Sequence, residues 1–286
     1  MNNQSRVENL LATLLSGETT NVVPQSRIEK ILLDIVNGET DDTFTPRSRI
    51  EAYLKAISEN GSGGGGDEAS VLDSLIDGSI TEITSNATTI LPRTFHNRQT
   101  LTSAKFPLVK NIGNESFYNC TALKSINAPI VETIGDSGFN NCKALISVNF
   151  PLATKINPQT FYGCESLETA NIPANKYIYE SLFYNCKKLT TVNLASAIYF
   201  ASYVFRYCES LKTVILRSET LATLNATNSF ERTLIASGAG YIYVPRALVD
   251  TYKSATNWST YATQFRALED YTVDGTITGE LDETKI

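Results

Sequence analysis

The sequence predicts an α+β chain: a solenoid of stacked coils, with a parallel β-sheet on its concave face and an irregular convex side. A β/α cap closes the solenoid, and three short amphipathic helices precede it. Three observations carry this reading: five cysteines at one constant interval, a helix-capping sequence written three times near the N-terminus, and a glycine run between the two patterns. They divide the chain into helices (1–60), a linker (61–68), a solenoid with its N-terminal cap (69–220), and a C-terminal cap and tail (221–286).

The helices come first. Ser5-Arg6-Val7-Glu8, Ser26-Arg27-Ile28-Glu29 and Ser48-Arg49-Ile50-Glu51 are capping boxes, in which serine accepts from an unpaired first-turn amide and glutamate reaches back to the serine amide. Gly17, Gly38 and Gly61 stand where a helix C-cap belongs. Between them run Val7, Leu10, Leu11 and Leu14; Ile28, Ile31, Leu32 and Ile35; and Ile50, Tyr53, Leu54 and Ile57, giving each helix one narrow apolar stripe. Helices this short are marginal alone. The three stripes therefore either pack on one another as a small bundle, or each docks on another protein or on a second copy of the chain. The connectors 18–25 and 39–47 each hold a proline and reach about 25 Å when extended, so docking through three tethered helices would multiply weak affinities.

The run Gly61-Ser62-Gly63-Gly64-Gly65-Gly66 reads as a flexible linker that lets the two parts orient independently. No strand precedes it and no Lys-Ser/Thr follows, so it does not read as a phosphate-binding loop.

The solenoid declares itself in Cys120, Cys142, Cys164, Cys186 and Cys208, each 22 residues from the next. Phenylalanine stands three residues before each and leucine three residues after, from Phe117 and Leu123 to Phe205 and Leu211; Phe95 and Leu101 keep the frame one unit earlier, with Arg98 in the cysteine place. Alternating apolar residues follow (Ala104 and Phe106, Ile126 and Ala128, Val148 and Phe150, Ala170 and Ile172, Val192 and Leu194, Val214 and Leu216), the period of a strand with one buried face. Pro107, Pro129, Pro151 and Pro173 end the strands. Ile90, Ile112, Ile134, Ile156 and Ile178 recur on the return path. A single 22-residue unit cannot offset its own ordering entropy, so neighbours must stack and pair their strands.

Cysteines could signal a metal site or a disulfide framework. Metal ligands usually come as close pairs, which this spacing does not supply, and a column of reduced, inward-facing thiols is the simpler reading.

The outward strand positions are the candidate binding face: Lys105, Ser125, Asn127, Ser147, Asn149, Thr169, Asn171, Thr191 and Asn193. They should form two polar ladders on the concave sheet. Such ladders either stabilise a solvated sheet or make a polar groove for a protein or glycan.

Beyond Leu216 the spacing lapses, and a cap is expected. Residues 240–245 read as a last strand and 246–254 as a helix with Leu248 and Tyr252 on one face. Trp258, Tyr261, Phe265 and Leu268 supply cap core. Residues 71–83 read as the opposite cap, and 272–286 as a loosely held polar tail.

The unit Phe-x-x-Cys-x-x-Leu with its apolar-Pro strand end resembles the BspA-like leucine-rich-repeat family over roughly residues 80–216, with Arg98, Ala195 and Arg217 as departures. The resemblance implies a leucine-rich-repeat solenoid and a surface adhesion or binding role. The tandem capped segments are similar to those of phage head-fibre and related virion proteins. The stretch YIYVPRALVDTYKSATNWSTYATQF resembles the closing unit of repeat proteins in phages and prophages of gut-type bacteria.

Composition narrows the function. A net charge of −6 and no basic run of five disfavour nucleic acid and anionic membranes. No signal peptide or membrane span is read from the sequence. One histidine, His96, without nucleophile or zinc motifs, disfavours catalysis, and no cofactor or metal is expected. The expectation is a non-enzymatic binding protein on a phage or prophage virion. Its residues 1–60 would hold a capsid or tail protein, and its solenoid would meet a cell-surface protein or glycan. A bacterial BspA-like surface adhesin and an intracellular scaffold are the alternatives.

Overall fold

A computed structural model of the chain describes residues 80–273 and 276–277. The chain divides into two units, Met1–Ile80 and Thr81–Ile286, and all the described residues but Ile80 belong to the second. The capped helices, the linker and most of the predicted N-terminal cap lie outside the described residues.

Each coil contributes two short strands. In chain order these are β1 (Glu82–Thr84) and β2 (Thr89–Ile90), β3 (Ser103–Lys105) and β4 (Asn111–Ile112), β5 (Ser125–Asn127) and β6 (Thr133–Ile134), and β7 (Ser147–Asn149) and β8 (Lys155–Ile156). They continue as β9 (Thr169–Asn171) and β10 (Tyr177–Ile178), β11 (Thr191–Asn193) and β12 (Tyr199–Phe200), and β13 (Thr213–Ile215) and β14 (Thr223–Leu224). The odd-numbered strands stack into a first sheet and the even-numbered into a second, all in parallel. The register shifts by one repeat, as in Thr169↔Thr191 and Ile112↔Ile134. The expected irregular convex side is therefore corrected: the return path is itself a parallel sheet, because each recurring isoleucine points inward and leaves its neighbours free to pair.

A third wall is built from turns. Two residues per coil adopt the left-handed region, one two positions before the core phenylalanine (Arg93, Glu115, Ser137, Gln159, Ser181, Tyr203) and one two positions after it (Asn97, Asn119, Asn141, Gly163, Asn185, Tyr207). The second is the third residue of a tight turn closed by the cysteine-position amide onto the phenylalanine carbonyl, as in Cys142 to Phe139 at 3.1 Å. That position needs a positive φ, which explains why asparagine and glycine dominate it. The amides of Arg93, Phe95 and Asn97 then donate to the carbonyls of Asn114, Ser116 and Tyr118 in the next coil at 2.9, 2.8 and 2.8 Å. The pattern repeats up the wall, with every such amide pointing toward the C-terminal end.

The interior is filled by columns. Phe95, Phe117, Phe139, Phe161, Phe183, Phe205 and Phe230 stack with centroids 5.0–5.8 Å apart, all fully buried. The five cysteines are free thiols without solvent exposure. Each donates to the phenylalanine carbonyl of the preceding coil: Cys120 to Phe95, Cys142 to Phe117, Cys164 to Phe139, Cys186 to Phe161 and Cys208 to Phe183, at 2.9–3.2 Å. Burial pushes the Cys120 and Cys164 thiols up to about 12.

Both sheets are interrupted once. In the first, β5 and β7 do not pair, and the link from the Ala128 amide to the Asn149 carbonyl, present at the equivalent place in neighbouring coils, is missing. Small Ala128 there meets bulky Phe150 in the inward column, and Ile126, expected inside, is only half-buried. In the second, β8 and β10 do not pair. This seam adjoins Asn175, which stands in a core column otherwise held by Val109, Val131, Ala153 and Ala197. Its amide turns to the Tyr177 carbonyl at 3.3 Å, and its buried Oδ1 has no partner.

Past Leu216 the spacing changes but the ladder runs on. Strand β15 (Tyr241–Val244) pairs with β13, and β16 (Phe265–Ala267) pairs with β15, both in parallel. The predicted helix is a 3-10 turn, Arg246–Leu248, followed by α1 (Val249–Ser254). Trp258, Tyr252, Tyr261 and Phe265 close the core, whereas Leu268 is half-buried. The Trp258 indole donates to the Ala222 carbonyl at 2.6 Å, and the Ala222 amide donates to the Tyr252 hydroxyl at 3.0 Å. In the tail, β17 (Thr272–Val273) pairs antiparallel with β18 (Thr276–Ile277).

Candidate functional site

The first-sheet face is set by the period of two. Val148, Ala170 and Val192 point inward, so the residues on either side point out. Ser125, Ser147, Thr169 and Thr191 form one outward column; Lys105, Asn127, Asn149, Asn171 and Asn193 form the other. The structure thus brings all nine predicted residues onto one face, but not into one environment. Lys105, Ser125, Asn127, Ser147 and Asn149 are exposed, and Thr169 and Thr191 are half-buried. Asn171 and Asn193 are only 5% and 1% exposed.

The buried amides bond to one another. Asn171 Nδ2 donates to Asn149 Oδ1 and Asn193 Nδ2 to Asn171 Oδ1, each at 2.8 Å. Ile215 takes the next rung and offers no donor, so Asn193 Oδ1 is buried without a partner. At the other end the ladder stops at the β5–β7 interruption. Asn171 and Asn193 are thus structural rungs, closed to direct contact, and the accessible part of the face is Lys105 to Asn149.

The second sheet carries a feature that sequence reading missed. Its outward columns are Thr89, Asn111, Thr133, Lys155, Tyr177 and Tyr199, and, two residues on, Leu91, Gly113, Gly135, Asn157 and Tyr179. A groove of about 330 Å³ runs over β2 to β8, lined by Asn111, Asn114, Thr133, Lys155 and Asn157 above the two glycines. Glycine is required on that floor. A Cβ on Gly113 would lie 2.5 Å from the Pro92 nitrogen, and one on Gly135 would lie 2.5 Å from the Asn114 nitrogen. Thr133 Oγ1 donates to Asn111 Oδ1 at 2.7 Å. The signal available in the sequence was the residue before each return-path isoleucine, which is polar or aromatic every time.

The turn wall displays half-buried rings. Tyr162 and Tyr184 stack 4.7 Å apart, nearly parallel, and Arg206 lies over Tyr207 at 5.0 Å while pairing with Glu231 at 2.8 Å. His96 stacks on Tyr118 at 5.0 Å and lies 3.6 Å from Glu115. Among the described residues no group of three metal-ligating side chains comes together, and no helix is long and apolar enough to cross a membrane. The predicted anchor residues, Val7 to Ile57, lie outside the described residues.

A family model described as BspA type leucine rich repeat region matches residues 78–176 and 132–237, in six copies. Among solved structures, a leucine rich cell surface protein from Faecalibacterium prausnitzii is 28% identical, with a TM-score of 0.40, over 49% of this chain and 45% of that one. A leucine-rich repeat protein from Eubacterium ventriosum is 26% identical, with a TM-score of 0.46, over 54% and 43%. One from Bacteroides ovatus is 20% identical, with a TM-score of 0.41, over 66% and 60%. The chain thus spans less than half the length of the first two. No curated protein matches.

Proposed function

The chain belongs to the BspA-type leucine-rich-repeat family, and from that premise we propose that it is a non-enzymatic binding protein. Its recognition surface is the accessible first-sheet patch of Lys105, Ser125, Asn127, Ser147 and Asn149, and its anchor is residues 1–60. The observation that carries this reading is the contrast along one sheet face. At Asn171, Asn193 and Ile215 the outward column is buried; from Asn149 toward Lys105 five neighbouring polar side chains stand open to solvent. A polar patch of this kind, spread over β3, β5 and β7, binds by complementarity over several coils. The single histidine, held between Tyr118 and Glu115, adds no support for catalysis.

The similarity of residues 1–60 to phage head-fibre segments supports a virion appendage, whose helices hold a capsid or tail protein while the solenoid meets a cell-surface protein or glycan. Family membership favours a second reading, a bacterial surface adhesin. Mass spectrometry of purified particles and of bacterial surface fractions separates them: the chain enriches in particles under the first reading and in surface fractions under the second. Recognition itself is tested with Asn127→Lys and Ser147→Lys together. Both positions are exposed and outside the amide ladder, so the fold should hold while target-cell binding falls at least tenfold, since each lysine brings an unmatched charge into the contact. Unchanged binding would remove the patch from the function.

A further inference from the structure

We propose that the second-sheet groove and the tyrosines beside it form a separate binding site for an extended oligosaccharide bearing a carboxylate, such as a uronic or sialic acid. This site is distinct from the first-sheet patch and stands whether or not that patch binds.

Four features point to that ligand. The groove rim is amide and hydroxyl: Asn111, Asn114, Thr133 and Asn157, above a floor without side chains at Gly113 and Gly135. Such groups exchange hydrogen bonds with vicinal hydroxyls, while the glycines follow from the close approach of the preceding coil, whose backbone fills their Cβ sites. The next coil adds an aromatic shelf. Tyr177 is 49% exposed on the strand following β8, with the Tyr179 ring 6.4 Å away and tilted by only 22°. A sugar ring is polar at its edge and apolar on its C–H face, and a rim of amides beside a tyrosine platform matches both surfaces.

The seam between β8 and β10 supplies the third feature. In the other coils the carbonyls equivalent to Thr154 and Ile156 accept from the next coil, as Glu132 does from Thr154 and Ile134 from Asn157, both at 3.0 Å. At the seam, the carbonyl of exposed Thr154 receives no such bond, whereas that of Ile156, also without one, is fully buried. One accessible unfilled acceptor favours a ligand rich in hydroxyl donors. Charge is the fourth. No carboxylate lines the groove, nearby Lys110 is paired to Glu132 at 3.1 Å, and Lys155 makes no ion pair among the described residues. One exposed ammonium at the end of a trough lined by no carboxylate selects a ligand with an acidic group in register.

The test uses the full chain and isothermal titration against oligogalacturonate hexamer, its neutral methyl ester, 6′-sialyllactose and lactose. The expected result is binding of at least one acidic sugar, with its neutral counterpart weaker by about tenfold. Lys155→Gln and Tyr177→Ala should each weaken the acidic sugar by about tenfold without moving the melting temperature, since both side chains are exposed. Lys124→Gln, at the exposed residue just before β5 of the first sheet, should leave binding unchanged. The two acidic probes distinguish a uronate from a sialylated source. The proposal is overturned if neither acidic sugar binds, if the neutral forms bind equally well, or if Lys155→Gln and Tyr177→Ala leave sugar binding intact. It also fails if these variants abolish capture of a protein partner while no sugar binds.

Discussion

The Cys164 thiol donates to the Phe139 carbonyl at 3.2 Å across a coil boundary, and the same bond recurs at all five cysteines. The cysteine column is therefore a set of small donors that satisfy core carbonyls while filling apolar space, a role alanine fills only in part.

Alkaline pH should unfold this solenoid. The Cys164 thiol titrates near 9.0 when unfolded and is pushed up to about 12 by burial. Folding therefore holds its proton, and this stability is complete below pH 9.0 and declines as pH rises toward 12. Each such thiol costs about 1.4 kcal/mol per pH unit in that window. Denaturation midpoints should drop steeply above pH 9, and Cys164→Ala should flatten the slope by about one proton equivalent while lowering neutral-pH stability by about 1–2 kcal/mol. A midpoint independent of pH between 9 and 11 would contradict buried neutral thiols.

Asn171→Ala should destabilise by about 2 kcal/mol, because it strands the buried Asn193 Nδ2 and removes the donor to Asn149 Oδ1. Asn127→Ala, in the same column but exposed and outside the ladder, should cost less than about 0.5 kcal/mol. Urea titrations of the two variants give the comparison, and equal effects would mean the ladder contributes nothing.

The turn wall predicts opposite outcomes at two left-handed positions. Gln159 has φ 56°, so Gln159→Gly should stabilise by up to about 1 kcal/mol. Gly163 has φ 70°, and a Cβ there would meet Asn141 Oδ1 at 2.5 Å, so Gly163→Ala should destabilise by more than about 1 kcal/mol. Differential scanning calorimetry reads both signs.

Trp258→Phe should reveal how the cap is held. It retains a ring against Phe200 and Phe230 but removes the indole donor to Ala222, leaving a buried carbonyl unpaired at a cost of about 1–3 kcal/mol. Hydrogen exchange should then quicken first in β14 and β16, ahead of the central coils.

Much of the fold was legible in the sequence because spacing and burial are the same information in a solenoid. Phe117 to Phe205 and their cysteines fall inside as the 22-residue frame requires. The second sheet was harder to read, since two-residue strands such as Ile112 with its neighbour carry too little alternation to declare a period. The sealing of Asn171 and Asn193 was not legible either, because the same Ser/Thr-x-Asn pattern describes the exposed rungs at Asn127 and Asn149. Neither interruption was legible: Ala128 beside Phe150 repeats the step from Phe106 to Ala128, where the strands do pair, and Asn175 is one polar residue in a column of valines and alanines, which a repeat frame averages away. Past Leu216 the frame lapsed while Val214, Ile242 and Phe265 kept the register, because strand pairing tolerates loops of different length between its rungs.

The one-way amides of the turn wall make the two ends of the stack chemically unlike. A coil grafted beyond Phe230 must bring acceptors, and one grafted ahead of Phe95 must bring donors. Units can therefore be inserted or deleted whole in a single orientation, and two molecules abutting by like ends would set lone pair against lone pair or hydrogen against hydrogen. Lengthening this protein, by evolution or by design, is a vectorial process.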